Sequence, residues 1–161
     1  MNFRIGDKAA YPGRGIVEIA GVERREVGGA SLAFYVLRAL VTDDKVLVPV
    51  EHAAGLRALC DSRAARALLA ILDEPGTLSP KESPNRRLRS LKERLDSGLA
   101  HDTASAYRDL QRLRAQKPLS FGEVRMLDTA RQRLATELAH AFARDIDEIT
   151  GELESHFANA A

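Results

Sequence analysis

Between Ser83 and Leu95 the chain reads SPNRRLRSLKERL, with three arginines, Arg86, Arg87 and Arg89, just inside an apparent helix start. Serine supplies an N-cap oxygen, and proline at the first helical position gives up an N–H that would have no partner there. A helix N-terminus is its positive end and favours Asp or Glu, by about 0.3–1 kcal/mol each. Cations crowded at that end call for an anion from outside the chain. Backbone N–H groups reinforced by arginine forks suit a phosphate, and the planar guanidinium suits it better than an ammonium. The competing reading is a solvated face, with Arg86, Arg87, Arg89, Lys92 and Arg94 lying opposite a leucine stripe. Against it, only Glu82, Glu93 and Asp96 lie nearby, too few for full i,i+4 pairing.

Nothing else in the chain has the spacing of a reactive centre. No G-x-x-x-x-G-K-[ST] occurs, and no His/Cys pair has metal-ligand spacing. His52, His101, His140 and His156 are scattered over separate segments and read as surface or helix-end residues. Tyr11-Pro12-Gly13-Arg14-Gly15 resembles a phosphate loop only in its glycines; Pro-Gly is a turn signal, and no P-loop lysine follows. The single cysteine, Cys60, excludes an internal disulfide, fits a reducing cytoplasm, and reads as a small buried hydrophobe near a domain junction. We therefore expect no enzyme, no cofactor and no metal.

Composition agrees with a folded binding protein. Of 161 residues 45% are apolar and 29% charged, with no Trp, so the cores must be aliphatic. No apolar run approaches the ~20 residues of a membrane span, and the opening MNFRIGDK lacks the apolar stretch of a signal peptide. Net charge is only +1, but its distribution is polar. Lys81 to Lys117 holds ten Lys/Arg against five acids, whereas Arg144 onward holds one Arg against five acids. A concentrated basic stretch attracts phosphate far better than the same charges scattered. The acidic end reads as a solvated helix face.

Two hydrophobic periods divide the chain. Ile16 to Val22, Ala33 to Val41 and Lys45 to Val50 read as strands, with turns at residues 11–15, Gly28-Gly29 and Thr42-Asp43-Asp44. Several short strands in so small a segment point to a barrel, which protects its edges. From about Arg57 the period becomes helical. Arg63 to Asp73 is Ala-rich and stops at Glu74-Pro75-Gly76; Leu88, Leu91 and Leu95 form a stripe ended by Gly98. Asp102 or Thr103 is expected to cap a third helix bearing Tyr107, Leu110 and Leu113. Ser120 and Glu123 form a capping box before a long helix whose inner face is Leu127, Ala130, Leu134, Leu138 and Ala141. Ile146, Ile149, Leu153 and Phe157 mark a last helix. The expected architecture is a β-barrel over residues 1–55 and a helical domain of about five helices over 56–161.

Taken together, RIGDKAAYPGRGIVEI, FYVLR, KVLVPVE, NRRLR and LSFGEVRMLDTARQRLATEL resemble the CarD/CdnL family of bacterial transcription regulators, over essentially the whole chain. The resemblance implies a Tudor-like (SH3-like) barrel that docks on the β1 lobe of the RNA polymerase β subunit by strand augmentation. The matching positions are Arg25, Leu47 and Pro49, with Val46 and Val48 alongside; an edge strand that ends in proline accepts one partner strand and stops. Relatives often carry a basic or long flexible side chain where Leu47 stands. The resemblance further implies that the helical domain meets promoter DNA at the upstream edge of the transcription bubble, with Pro84, Arg86, Arg87 and Arg89 at the contact.

The family's tryptophan, which wedges at the fork junction, is replaced by Pro84, and Val124 stands where relatives often have lysine. A base–aromatic stack contributes about 1–3 kcal/mol, whereas proline offers a smaller apolar wedge. The expected protein is a cytoplasmic monomer, associated with the nucleoid through polymerase, with no membrane partner and weak DNA binding of no sequence preference. The other open reading is a polymerase-binding adaptor or competitor that does not act on DNA.

Overall fold

The computed structural model describes residues 3–158; the ends of both expected domains, residues 1–2 and 159–161, lie outside the described residues. The chain divides into two compact units, Met1–Leu59 and Cys60–Ala161. In the first, strands β1 (Lys8–Tyr11), β2 (Gly15–Val27), β3 (Ala30–Ala39), β4 (Lys45–Pro49) and β5 (Arg57–Ala58) form one antiparallel sheet in the order β4-β3-β2-β1-β5. A short 3-10 segment, Val50–Gly55, separates β4 from β5.

Alternation sorts the side chains of this sheet. Val17, Ile19, Tyr35, Leu37, Ala39 and Val48 face one core, which Leu56 also joins. Two strands escaped the sequence reading. β1 is short and Ala-rich, with little β propensity of its own, and β5 is held in the sheet by pairing of Arg57 and Ala58 with Ala10 and Ala9. The sheet unit therefore runs past residue 55, and the stretch from Arg57 begins as strand before it becomes helix. The β2–β3 hairpin is also longer than the apolar pattern indicated. Its outer part pairs Glu23 with Phe34 through to Val27 with Ala30, closed by Gly28 and Gly29 at φ of 58° and 83°. Two consecutive positive φ values match the strand twist, and glycine supplies them without strain.

The second unit contains α1 (Ser62–Leu72), α2 (Pro84–Asp96), α3 (Ala100–Gln116), α4 (Phe121–Phe142) and α5 (Ile146–Ala158). Asp61 caps α1 by accepting from the Ala64 N–H at 2.8 Å. Ser83 caps α2, accepting from the Arg86 N–H at 3.2 Å with Pro84 at the first helical position. The Ser120/Glu123 box is reciprocal: Glu123 N–H donates to Ser120 Oγ at 3.2 Å and Ser120 N–H to Glu123 Oε1 at 3.0 Å. α3 begins earlier than the expected cap at Asp102 or Thr103. Its first residue is Ala100 and no side chain caps it, because Asp102 and Thr103 are already inside the helix.

One core unites this bundle: Leu68 and Leu72 of α1, Leu91 and Leu95 of α2, Tyr107 and Leu110 of α3, Leu127, Leu134 and Leu138 of α4, and Ile149, Leu153 and Phe157 of α5. Ala141 is only partly buried and Ile146 is 42% exposed, so the stripes of α4 and α5 are shorter at the turn between them than the periodicity suggested. A buried polar knot ties the α1–α2 loop to α3. Asp109 accepts from Thr77 N–H at 3.0 Å, Arg94 Nη1 at 2.8 Å and Arg108 Nε at 2.9 Å. Burial alone would raise the Asp109 carboxyl, but these donors hold it below the usual aspartate value.

Candidate functional site

Two surfaces carry the residues singled out from the sequence, one on each unit. On the sheet, β4 is an edge strand that among the described residues pairs only with β3. Its other side leaves main-chain donors and acceptors without sheet partners, the standing requirement for strand addition. Register then divides the expected contact residues. Val48 lies opposite Tyr35 and is 5% exposed, and Val46, opposite Leu37, points to the same core. Val46 and Val48 can therefore offer an incoming strand backbone, not side chains. Leu47 and Pro49 point the other way, opposite Val36 and Phe34, and Leu47 is exposed.

The outer face extends beyond those two residues. Leu32, Phe34 and Val36 alternate along β3 on the same side as Leu47 and Pro49, all three half-buried. Arg25 pairs across the hairpin with Leu32, which places it on that face at the end of the apolar strip. Its guanidinium is exposed and held by Glu23 at 3.1 Å. Leu32, Phe34 and Val36 were legible in principle. β3 is apolar at both alternations, and a strand with one solvated face has no need of that.

The helical surface is built where α2 and α4 begin. Arg86 and Arg89 are exposed, and among the described residues neither guanidinium has an ion-pair partner. Pro84 is exposed at the head of the same helix. Arg87 departs from the expectation. It is 1% exposed, its Nε donates to Glu123 Oε2 at 2.9 Å, and its Nη1 donates to the carbonyls of Ser79 and Glu82. A guanidinium so enclosed does not reach a phosphate. The physical reason is the helical period. Arg87 shares the inward face with Leu91, four residues on, and the buried Glu123 carboxylate compensates its charge. Burial alone would raise the Glu123 carboxyl, but hydrogen bonds from Ser120 and from Arg87 bring it below the usual glutamate value. Arg94 is likewise spent internally, on Asp109 at 2.8 Å, and Lys92 pairs with Asp96.

The Arg87–Glu123 pair brings the two helix starts together, and α4 adds to the surface. Phe121 is 79% exposed at the first position of α4, with the Arg125 guanidinium carbon over its ring at 5.9 Å from the centroid, within cation–π distance. Gly122 beside it lies against Leu88 of α2, where an added Cβ would meet Leu88 Cδ2 at 3.3 Å. Val124 is 43% exposed nearby in the chain. The sequence signal for Phe121 is its phase: it stands two residues, roughly 200° of helix, from the buried Glu123. Among the described residues no cluster of His, Cys, Asp or Glu is placed to hold a metal, and no helix is long and apolar enough to cross a membrane.

The "CarD-like/TRCF RID domain" model matches residues 3–60, and the "CarD, C-terminal domain" model matches residues 67–154. The chain belongs to the CarD family. YdeB of Bacillus subtilis (strain 168), named as a transcription factor, is 28% identical over 140 residues, which is 84% of this chain and 90% of YdeB. The solved structure described as CdnLNt from Myxococcus xanthus is 42% identical, covers 36% of this chain and 84% of its own, and has a TM-score of 0.33. The sheet unit of this CarD-family protein is accordingly Tudor-like and of the RNA polymerase-interacting type. The family comprises non-catalytic transcription regulators.

Proposed function

We propose that this CarD-family protein docks on the β1 lobe of the RNA polymerase β subunit through the β4 edge and places the start of α2 against promoter DNA at the upstream edge of the bubble, where it modulates the stability of the open complex. The observation that carries the reading is the pair of exposed arginines, Arg86 and Arg89, without an ion-pair partner among the described residues, on a helix start that the buried Arg87–Glu123 pair joins to the start of α4, where Phe121 is exposed. Strand addition along Lys45–Pro49 supplies main-chain hydrogen bonds, and Leu47, Pro49 and the β3 outer residues supply apolar contact. Arg25 rims that contact with charge.

On DNA, Arg86 and Arg89 meet phosphates and Arg87 does not. The contact positions the protein without reading sequence. Pro84 and Phe121 are the apolar groups available for the fork junction. Phe121 gives an aromatic face that proline lacks, so absence of tryptophan does not leave the surface without a stacking group. This favours a DNA-acting regulator over an adaptor that leaves DNA alone.

Titration of labelled fork-junction DNA with the full chain at several salt concentrations tests the DNA half of the reading. Each phosphate contact contributes a slope of about 0.9 in log K against log salt. Replacing both Arg86 and Arg89 by Ala should flatten the slope by about 1.8. An unchanged slope would remove both residues from the phosphate contact.

A further inference from the structure

We propose that two copies of this chain associate reversibly through the outer half of β2, edge to edge and antiparallel, with the two-fold axis at Arg24. β1 covers β2 only from Gly15 to Glu18. Just beyond, Ile19 donates to the Asp7 carbonyl and accepts from the Gly6 N–H, both at 2.8 Å. From Val22 to Val27 the strand pairs, among the described residues, with β3 alone, and every residue of that stretch is exposed. The two-residue Gly28-Gly29 turn makes Val27 and Ala30 a hydrogen-bonded pair. Alternation then turns the N–H and C=O of Val22, Arg24 and Glu26 away from β3, towards an incoming strand. Edges are ordinarily guarded by lysine, proline or a bulge. Val22–Val27 holds neither lysine nor proline, its glutamates and arginines cancel, and the bulge lies before it, between Ile19 and Gly21.

The order of these residues selects the occupant. Val22-Glu23-Arg24-Arg25-Glu26-Val27 is a palindrome, and an antiparallel copy is read backwards, so it meets this sequence with the same sequence. Directly opposed residues share one side of a sheet, so the two-fold axis passes through a residue and not between Arg24 and Arg25. With the axis at Arg24, Glu23 stands opposite the copy's Arg25, and Arg25 opposite the copy's Glu23. These are non-hydrogen-bonded pairs, where side chains approach most closely. Arg24 meets its own counterpart at the wider hydrogen-bonded spacing, with Glu26 of each chain on the same face. Glu23 and Arg25 already touch within one strand, at 3.1 Å, so association joins two such pairs into one cluster of alternating charge. A strand of uniform charge would meet like charges on this edge instead. One added strand pairing falls short of the roughly 1,200–2,000 Å² of a stable complex, so the dimer is weak and readily dissociates. β4 lies at the far edge of the sheet from β2, and self-pairing leaves Lys45–Pro49 open.

Sedimentation equilibrium of the full chain, from micromolar to about millimolar concentration, should show a dimer that grows with concentration and weakens with salt. The Val22, Arg24 and Glu26 amides should gain protection from hydrogen exchange over the same range. Glu23→Arg fills the cluster with like charge and should weaken association at least tenfold. The exchanged pair Glu23→Arg/Arg25→Glu restores the opposition and should return it to within about threefold of the native chain. Arg24→Pro removes an N–H that β3 does not use, and should abolish the dimer while the β2–β3 amides keep their protection. A monomer at every concentration, a dimer indifferent to Glu23→Arg, or an exchanged pair no stronger than the single change would overturn the proposal.

Discussion

At the head of α2, Arg86 and Arg89 extend into solvent while Arg87, one residue on from Arg86, turns inward to Glu123 at 2.9 Å. Removing one member of a buried ion pair leaves the other charge uncompensated, at a cost of about 3–5 kcal/mol. Arg87→Ala should therefore lose stability on that scale in urea unfolding, whereas Arg86→Ala should stay within about 0.5 kcal/mol. The same network sets a pH dependence. The Glu123 and Asp109 carboxyls are both held lower in the folded chain than their ordinary values. As pH falls the unfolded chain takes up protons first, so the stability these groups contribute is complete above the carboxylate range and is lost below about pH 4. Denaturant midpoints between pH 6 and pH 3 should decline, and the decline should shrink in Glu123→Gln relative to its own pH 6 value.

At the scale of elements, β4 is divided by its own alternation into a core side and an outer side, the latter the proposed contact. Leu47→Glu changes the exposed side and should weaken binding to a polymerase β1-lobe fragment at least tenfold, with melting unchanged. Val48→Ala opens the core instead and should cost on the order of 2 kcal/mol while sparing the outer contact surface; calorimetry with a pull-down on the β1 fragment separates the two. Much of this layout was legible in the sequence. The three longer strands, five helices, the Ser83 and Ser120 caps and most of the aliphatic stripes follow from period and capping chemistry. β1 and β5 were not, because alanine-rich and two-residue strands owe their form to pairing with neighbours and not to propensity. Arg87 was misplaced for a related reason. Composition showed a basic run, but only the packing of α2 on α4 reveals that one of its arginines has a buried carboxylate waiting.

At the scale of the whole molecule, two units with separate cores are joined in one chain, one matching the polymerase-interacting domain and the other the CarD C-terminal domain. For the proposed function, tethering makes even a weak DNA contact effective, since a linked second contact acts at an effective concentration of about millimolar. The proposed function needs both surfaces at once, and isolated DNA affinity should be modest and steeply dependent on salt. The decisive measurement is the lifetime of promoter open complexes after competitor challenge, formed with the matching bacterial polymerase. The native chain should prolong the lifetime, and Leu47→Glu or the Arg86→Ala/Arg89→Ala double variant should each abolish the gain. A native chain without effect, or a gain that survives both sets of changes, would contradict the account.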